Sequence, residues 1–197
     1  MEAERSTESL LYDPEMIAVL GINIQSSTFK RIFSKLEFLT AFSYLLDFAE
    51  RKSIPYSAVE YMGSPDDVTS ISPYVKNKIE VMSGRKASTL PMPADFTGKF
   101  ASLEKKSRLH SSTTLNLRSA FREMKAAGLT VAFLTGFVTE FHVLGAAFEA
   151  IGEGIIPVVI SDAVSSANER LHFQGLEIMS NFSFVIDSRD LMNRWEQ

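Results

Sequence analysis

The stretch Thr130–Ala150, TVAFLTGFVTEFHVLGAAFEA, decides the fold. Its first six residues, Thr130–Thr135, form an almost unbroken apolar and β-branched run, as a strand covered on both faces requires. Gly136 opens a turn, and from Thr139 to Ile151 apolar residues recur at helical spacing. A buried strand running straight into a helix is half of a parallel strand-helix-strand unit. His142 stands near the start of that helix, at a turn where many α/β enzymes carry their nucleophile.

Outward from this centre the same alternation repeats. Met16–Ile24, MIAVLGINI, reads as a central strand, and Ile32–Ala49 as an amphipathic helix through Ile32, Leu36, Leu39, Phe42 and Leu46. Ile54–Tyr61 reads as a second strand, with Pro55 at its start where a missing amide donor is tolerated. Residues 63–72 are polar and turn-forming. Residues 75–99 carry Gly84, Pro91, Pro93 and Gly98 without a period and predict a long excursion. A short strand is expected at 100–103 and a helix at 115–126, with Gly128 as its stop. Beyond the central stretch come a strand at 155–161, a helix at 169–179, a strand at 182–186 and a closing helix at 188–195. The expected architecture is a single α/β domain over residues 1–197. It is a three-layer doubly wound (Rossmann-like) parallel sheet of about six strands with helices on both faces. Ligands of such sheets sit beyond the carboxyl ends of the strands, near the point where strand order reverses. That rule directs attention to Asn23–Ser26, Glu60–Ser64, Glu104–His110, Gly136–His142 and Asp162–Ser166.

Composition removes several chemistries. The 197 residues include no cysteine, which excludes disulfides, thiolate metal ligands and a cysteine nucleophile. A formal net charge of -4 disfavours a broad nucleic-acid surface, so nucleic acid is not an expected partner, though a local patch stays open. Neither a glycine-rich dinucleotide fingerprint nor a phosphate-binding loop follows any strand, and no cofactor is expected. His110, His142 and His172 lack metal-ligand spacing. The GxSxG nucleophile elbow is absent, and Ser64, Ser111 and Ser112 have no base beside them in sequence. Acidic residues break every apolar segment before the roughly 18 residues of a membrane span. The first sixteen residues show no export signal, so a soluble intracellular protein, cytoplasmic or mitochondrion-associated, is expected.

The strand-end motifs GINIQ (Gly21–Gln25), LEKKSRL (Leu103–Leu109) and GFVTEFHV (Gly136–Val143) resemble those of the isochorismatase-like superfamily, the cysteine hydrolases. Its members end their first strand in a pattern like IDxQ, carry a lysine after the third strand and place a GxxTxxCV turn before a helix. Val158–Met179, VVISDAVSSANERLHFQGLEIM, is similar to the family segment with a DA pair, a later histidine and a closing methionine. IPYSAVEYMG (Ile54–Gly63) and the lack of a zinc-binding histidine pair resemble the small isochorismatase-domain branch, which includes proteins labelled mitochondrial-associated ribonuclease.

The resemblance implies a site in which an aspartate is the base, a lysine holds charge and a cysteine attacks an amide or similar carbon. The corresponding positions here are Asn23, Lys106 (or Lys105, by a one-residue shift) and His142. Asparagine cannot take up a proton, which removes the base. The positive end of a helix favours a neutral imidazole with a lone pair, which leaves a variant chemistry open at His142. The first reading is therefore a binding or assembly protein with a degenerate triad and an unknown small molecule as ligand. The second is a hydrolase of a small amide or ester using His142 with a lysine or Glu140, and the third is a ribonuclease. Gln25, Phe137, Val138, Asp162 and His172 are the further pocket candidates. Asp162 also fits a tether to a neighbouring turn. The resemblance implies homo-oligomers as well.

Overall fold

Burial divides the strands cleanly by residue parity. Ile17 and Val19 join one apolar cluster with Val131, Phe133, Val158 and Ile160. Ala18, Leu20 and Ile22 join the other with Ala132, Leu134 and Val159. This period of two, with both faces covered, is why the strands read as continuous apolar runs. The computed structural model describes residues 7–24, 26–59 and 117–195. Among them five strands, β1 (Ile17–Ile22), β2 (Tyr56–Val59), β3 (Val131–Phe137), β4 (Ile156–Ser165) and β5 (Phe184–Ile186), form one sheet. All pairings are parallel, in the order β2-β1-β3-β4-β5.

The helices are α1 (Thr7–Leu11), α2 (Ser26–Phe29), α3 (Lys35–Lys52), α4 (Leu117–Ala126), α5 (Leu144–Gly152), α6 (Glu169–Met179) and α7 (Ser188–Trp195). The α3 and α7 residues Phe38, Phe42, Leu45 and Leu191 lie in the first cluster. Residues of α4, α5 and α6, among them Phe121, Ala147 and Met179, lie in the second. The molecule is the expected three-layer α/β fold. The expected strand at 100–103 and the irregular stretch 63–99 lie outside the described residues. No helix of the described residues is long and apolar enough to cross a membrane.

Several boundaries differ from the sequence reading. The first long helix begins at Lys35 rather than Ile32, because Ile32 is fully buried in the preceding loop and imitates a helical position. It runs to Lys52 and stops at Ser53, whose left-handed backbone (φ 56°) closes the last turn. Gly128 (φ 81°) stops α4 in the same way. The fourth strand extends to Ser165, four residues beyond expectation. A register shift between Leu134 and Gly136 lets Val164 and Ser165 pair with Gly136 and Phe137. Asp162 therefore lies within β4 rather than at its end. The expected helix from 139 starts with a π turn, Thr139–Val143, and becomes α-helical only at Leu144.

The closing helix docks through its last residue. Trp195 stacks on Phe48 with ring centroids 3.8 Å apart and planes 6° from parallel, and its indole N–H donates to the Tyr12 carbonyl at 3.1 Å. Arg194 lies over the Tyr12 ring at 4.5 Å. One wall of the core therefore joins α1, α3 and α7.

The tightest approach is between β1 and β3 at their carboxyl ends, where Ile22 pairs with Gly136. A Cβ on Gly136 would overlap the Ile22 carbonyl oxygen, and its φ of 120° suits glycine alone. Gly136→Ala is expected to cost about 3 kcal/mol or more, or to prevent folding, in urea unfolding. Gly152→Ala, with no atom of the described residues within 4 Å of an added Cβ, should stay within about 1 kcal/mol of the parent. Equal effects would contradict the packing described.

Candidate functional site

In this strand order the chain reverses its direction of travel across the sheet between β1 and β3, the place where open α/β sheets bind ligands. Two residues meet there. Asn23 follows β1 with a left-handed backbone (φ 50°), a conformation its short polar side chain tolerates better than most. His142 is the fourth residue of the π turn that follows β3. The Asn23 amide nitrogen Nδ2 lies 2.8 Å from His142 Nδ1. An amide NH2 only donates, so Nδ1 supplies the lone pair and the imidazole proton sits on Nε2. Burial favours that neutral state, lowering the His142 pKa from 6.5 to about 4, while a backbone hydrogen bond with Phe137 acts in the opposite direction.

The turn that carries His142 is conformationally costly. Val138 precedes it at φ 63° and ψ 64°, which is unusual for a β-branched residue. Its N–H donates to Ser165 O at 2.8 Å. Its carbonyl accepts from the N–H groups of Phe141, His142 and Val143 at 3.0, 2.8 and 3.3 Å. Strained backbone and single π turns both concentrate at functional sites. Around the turn, Ser166 Oγ donates to Glu140 Oε1 at 2.9 Å, and Thr139 Oγ1 lies 2.8 Å from His172 Nδ1. The other Glu140 oxygen, Oε2, is buried without a hydrogen-bond partner among the described residues. His172 is buried, which lowers its pKa to about 4, and its ring meets Phe33 and Phe173 edge-on at 5.1 and 5.0 Å.

A model of the isochorismatase domain matches residues 18–190, most of the chain. The chain belongs to the isochorismatase domain family. Solved structures share the fold at low identity. An isochorismatase family protein from Burkholderia thailandensis is 19% identical, with a TM-score of 0.62 over 93% of this chain and 97% of that one. A MAR1 ribonuclease from Caenorhabditis elegans is 16% identical, with a TM-score of 0.60 over 91% and 81%. An octameric hydrolase of unknown specificity from Escherichia coli is 18% identical, with a TM-score of 0.53 over 89% and 76%. No curated protein matches the chain.

Within this isochorismatase fold the described candidate residues separate into three groups. Asn23, Val138, Glu140 and His142 gather where β1 and β3 end, and His172 reaches the same turn through Thr139. Phe137 is fully buried and faces the first core, with its ring 4.6 Å from Phe38 and 6.3 Å from Phe29. Asp162 is engaged elsewhere: Oδ1 accepts the Ser188 N–H at 2.9 Å and Oδ2 the Ser188 hydroxyl at 2.5 Å, which fixes the start of α7. Gln25, Lys105 and Lys106 lie outside the described residues. Sequence reasoning did not single out Thr139, Ser166 or Gly175. Thr139 carried a usable signal, being the threonine of the turn motif. Ser166 lay within a strand-end stretch picked out from the sequence, whereas Gly175 becomes visible only once α6 is placed against the turn.

The two buried histidines give the fold an acid limit with a definite sign. Folded pKa values near 4 lie below the unfolded 6.5, so on acidification the unfolded chain takes up protons first. The stability they contribute is fully present above about pH 6.5 and is lost as pH falls toward 4. His142→Gln should therefore lose less stability than the parent between pH 7 and pH 5, by at most about 2 kcal/mol, in paired urea titrations. Nitrogen NMR of the parent at pH 7 should show the His142 proton on Nε2. A proton on Nδ1 would overturn the assigned geometry.

Proposed function

We propose that the protein is a non-catalytic, ligand-binding or assembly member of the isochorismatase family, with Asn23 and His142 standing where the hydrolases keep aspartate and cysteine. The Asn23–His142 hydrogen bond carries this reading. An amide cannot accept the proton that a nucleophile must lose. Here it also occupies the Nδ1 lone pair, the atom through which a histidine with its proton on Nε2 would act as base or nucleophile. Burial holds the ring neutral, and the chain has no cysteine to supply a thiolate. What remains is a polar, uncharged pair at the ligand-binding edge of the sheet, with Lys106 or Lys105 as the third position of the degenerate triad.

Assembly with further copies of the chain is part of the proposal. Phe148 and Ile151 on α5 and Ile178 on α6 are 56%, 44% and 49% exposed, an apolar surface of the kind found at subunit contacts. The solved neighbour from Escherichia coli is described as octameric. The ribonuclease named among the neighbours shares only the fold at 16% identity, and the net charge of -4 does not favour a nucleic-acid ligand.

The decisive experiment is a turnover assay of the purified protein on small amides, esters, vinyl ethers and RNA, with His142→Ala beside it. No turnover above the variant is expected for any substrate. Turnover that disappears in His142→Ala would overturn the proposal and establish a rewired hydrolase. In parallel, thermal-shift screening with the same small molecules should find a ligand whose stabilisation falls at least tenfold in apparent affinity in His142→Ala. Sedimentation velocity should give a mass above the 21.9 kDa of one chain.

A further inference from the structure

The π turn that bears His142 does not fix its own conformation. Three successive N–H groups converge on the Val138 carbonyl, at 3.0, 2.8 and 3.3 Å, so the local backbone supports more than one winding of the turn. Val138 adds left-handed strain. Such a segment persists only where its surroundings over-determine it.

The surroundings that do so come from β4 and α6. Thr139, the first residue of the turn, is fully buried and bonded to His172 of α6, itself 4% exposed. Gly175, three residues further along α6, brings that helix directly onto the main chain of the turn. A Cβ there would lie 2.9 Å from Glu140 Cα and 3.1 Å from Glu140 N. Ser166, just past β4, holds the Glu140 carboxylate. The first two residues of the turn are thus gripped from the α6 side, while the fourth, His142, reaches across to Asn23 at the end of β1.

We infer that His172 is a positioning residue: through Thr139, and with Gly175 seating α6 on the turn, it sets the placement of the π turn and thereby the Asn23–His142 hydrogen bond. The inference rests on the proposed function only in taking that pair as the functional site. It assigns His172 no contact with ligand. Its ring is neutral, enclosed by Phe33 and Phe173, and bonded to a buried hydroxyl, which suits a fixed strut.

The test reads the His142 ring nitrogens by NMR in four single variants of the full chain. In the parent the two nitrogens should resonate far apart, one protonated and one not. Thr139→Val removes the hydroxyl at nearly constant shape, and Gly175→Ala pushes α6 off the turn. Both should draw the two resonances toward their mean as the Asn23 bond is lost and the tautomers exchange. Thr139→Ser, which keeps the hydroxyl, should retain the parent pattern. Leu191→Ala, in the core on the opposite face, should lower the urea midpoint and leave the resonances in place. Parent-like resonances in folded Thr139→Val and Gly175→Ala would overturn the inference, as would an equal displacement in Leu191→Ala. Turnover by the parent protein would defeat the non-catalytic reading while leaving this coupling intact.

Discussion

Everything at the candidate site depends on how closely β1 and β3 approach at their carboxyl ends. The pairing of Ile22 with Gly136 leaves no room for a side chain on β3 at that level. Because the strands are that close, the residues immediately beyond them, Asn23 on one side and the π turn on the other, fall within hydrogen-bond reach. The closeness also forces both strands to turn sharply, and three backbone anomalies lie at their ends: left-handed Asn23, glycine-only Gly136 and left-handed Val138. Strain at the edge of the sheet and convergence of polar groups have a single geometric origin.

The chemistry that results differs in kind from that of a thiol hydrolase. A site built on aspartate, lysine and cysteine works by moving charge, which a low-dielectric cleft amplifies. Asparagine and a neutral histidine share a hydrogen bond that needs no countercharge. Burial, which would penalise a carboxylate-thiolate pair, therefore reinforces this arrangement by holding the imidazole neutral. The Glu140 carboxylate, two residues from the histidine in sequence, accepts a hydrogen bond from Ser166.

The layered fold was legible because both faces of the sheet are covered, which writes each strand as an apolar run and each helix as a distinct period. Positions 16–24, 130–135 and 188–195 all fell on real elements for that reason. The errors arose where burial was not periodic. Ile32 fills the core from a loop, and β4 continues past Ser161 through a register shift that leaves no mark in hydropathy. At the site, Asn23 and His142 could be named from the turn motifs, but their direct bond could not, because it spans 119 residues and depends on the β1–β3 pairing. Asp162 fitted both a pocket place and a tether in the sequence, and its oxygens act as the tether, at the start of α7, 26 residues away. Gly175 was unremarkable in sequence and acquires meaning only from the main chain it touches.

The stacking of Trp195 on Phe48 gives the molecule an internal optical reporter. Trp195 is the only tryptophan in the chain, and it lies at the end of α7 with its N–H held by Tyr12. All indole emission therefore originates from one junction, where residues near the two ends of the described chain lie against the sheet face opposite α4, α5 and α6. A change in that emission reports loosening of this junction, while events at the π turn should leave it largely dark. The protein thus carries a label-free means of separating peripheral fraying from rearrangement at the strand ends, without any engineered dye.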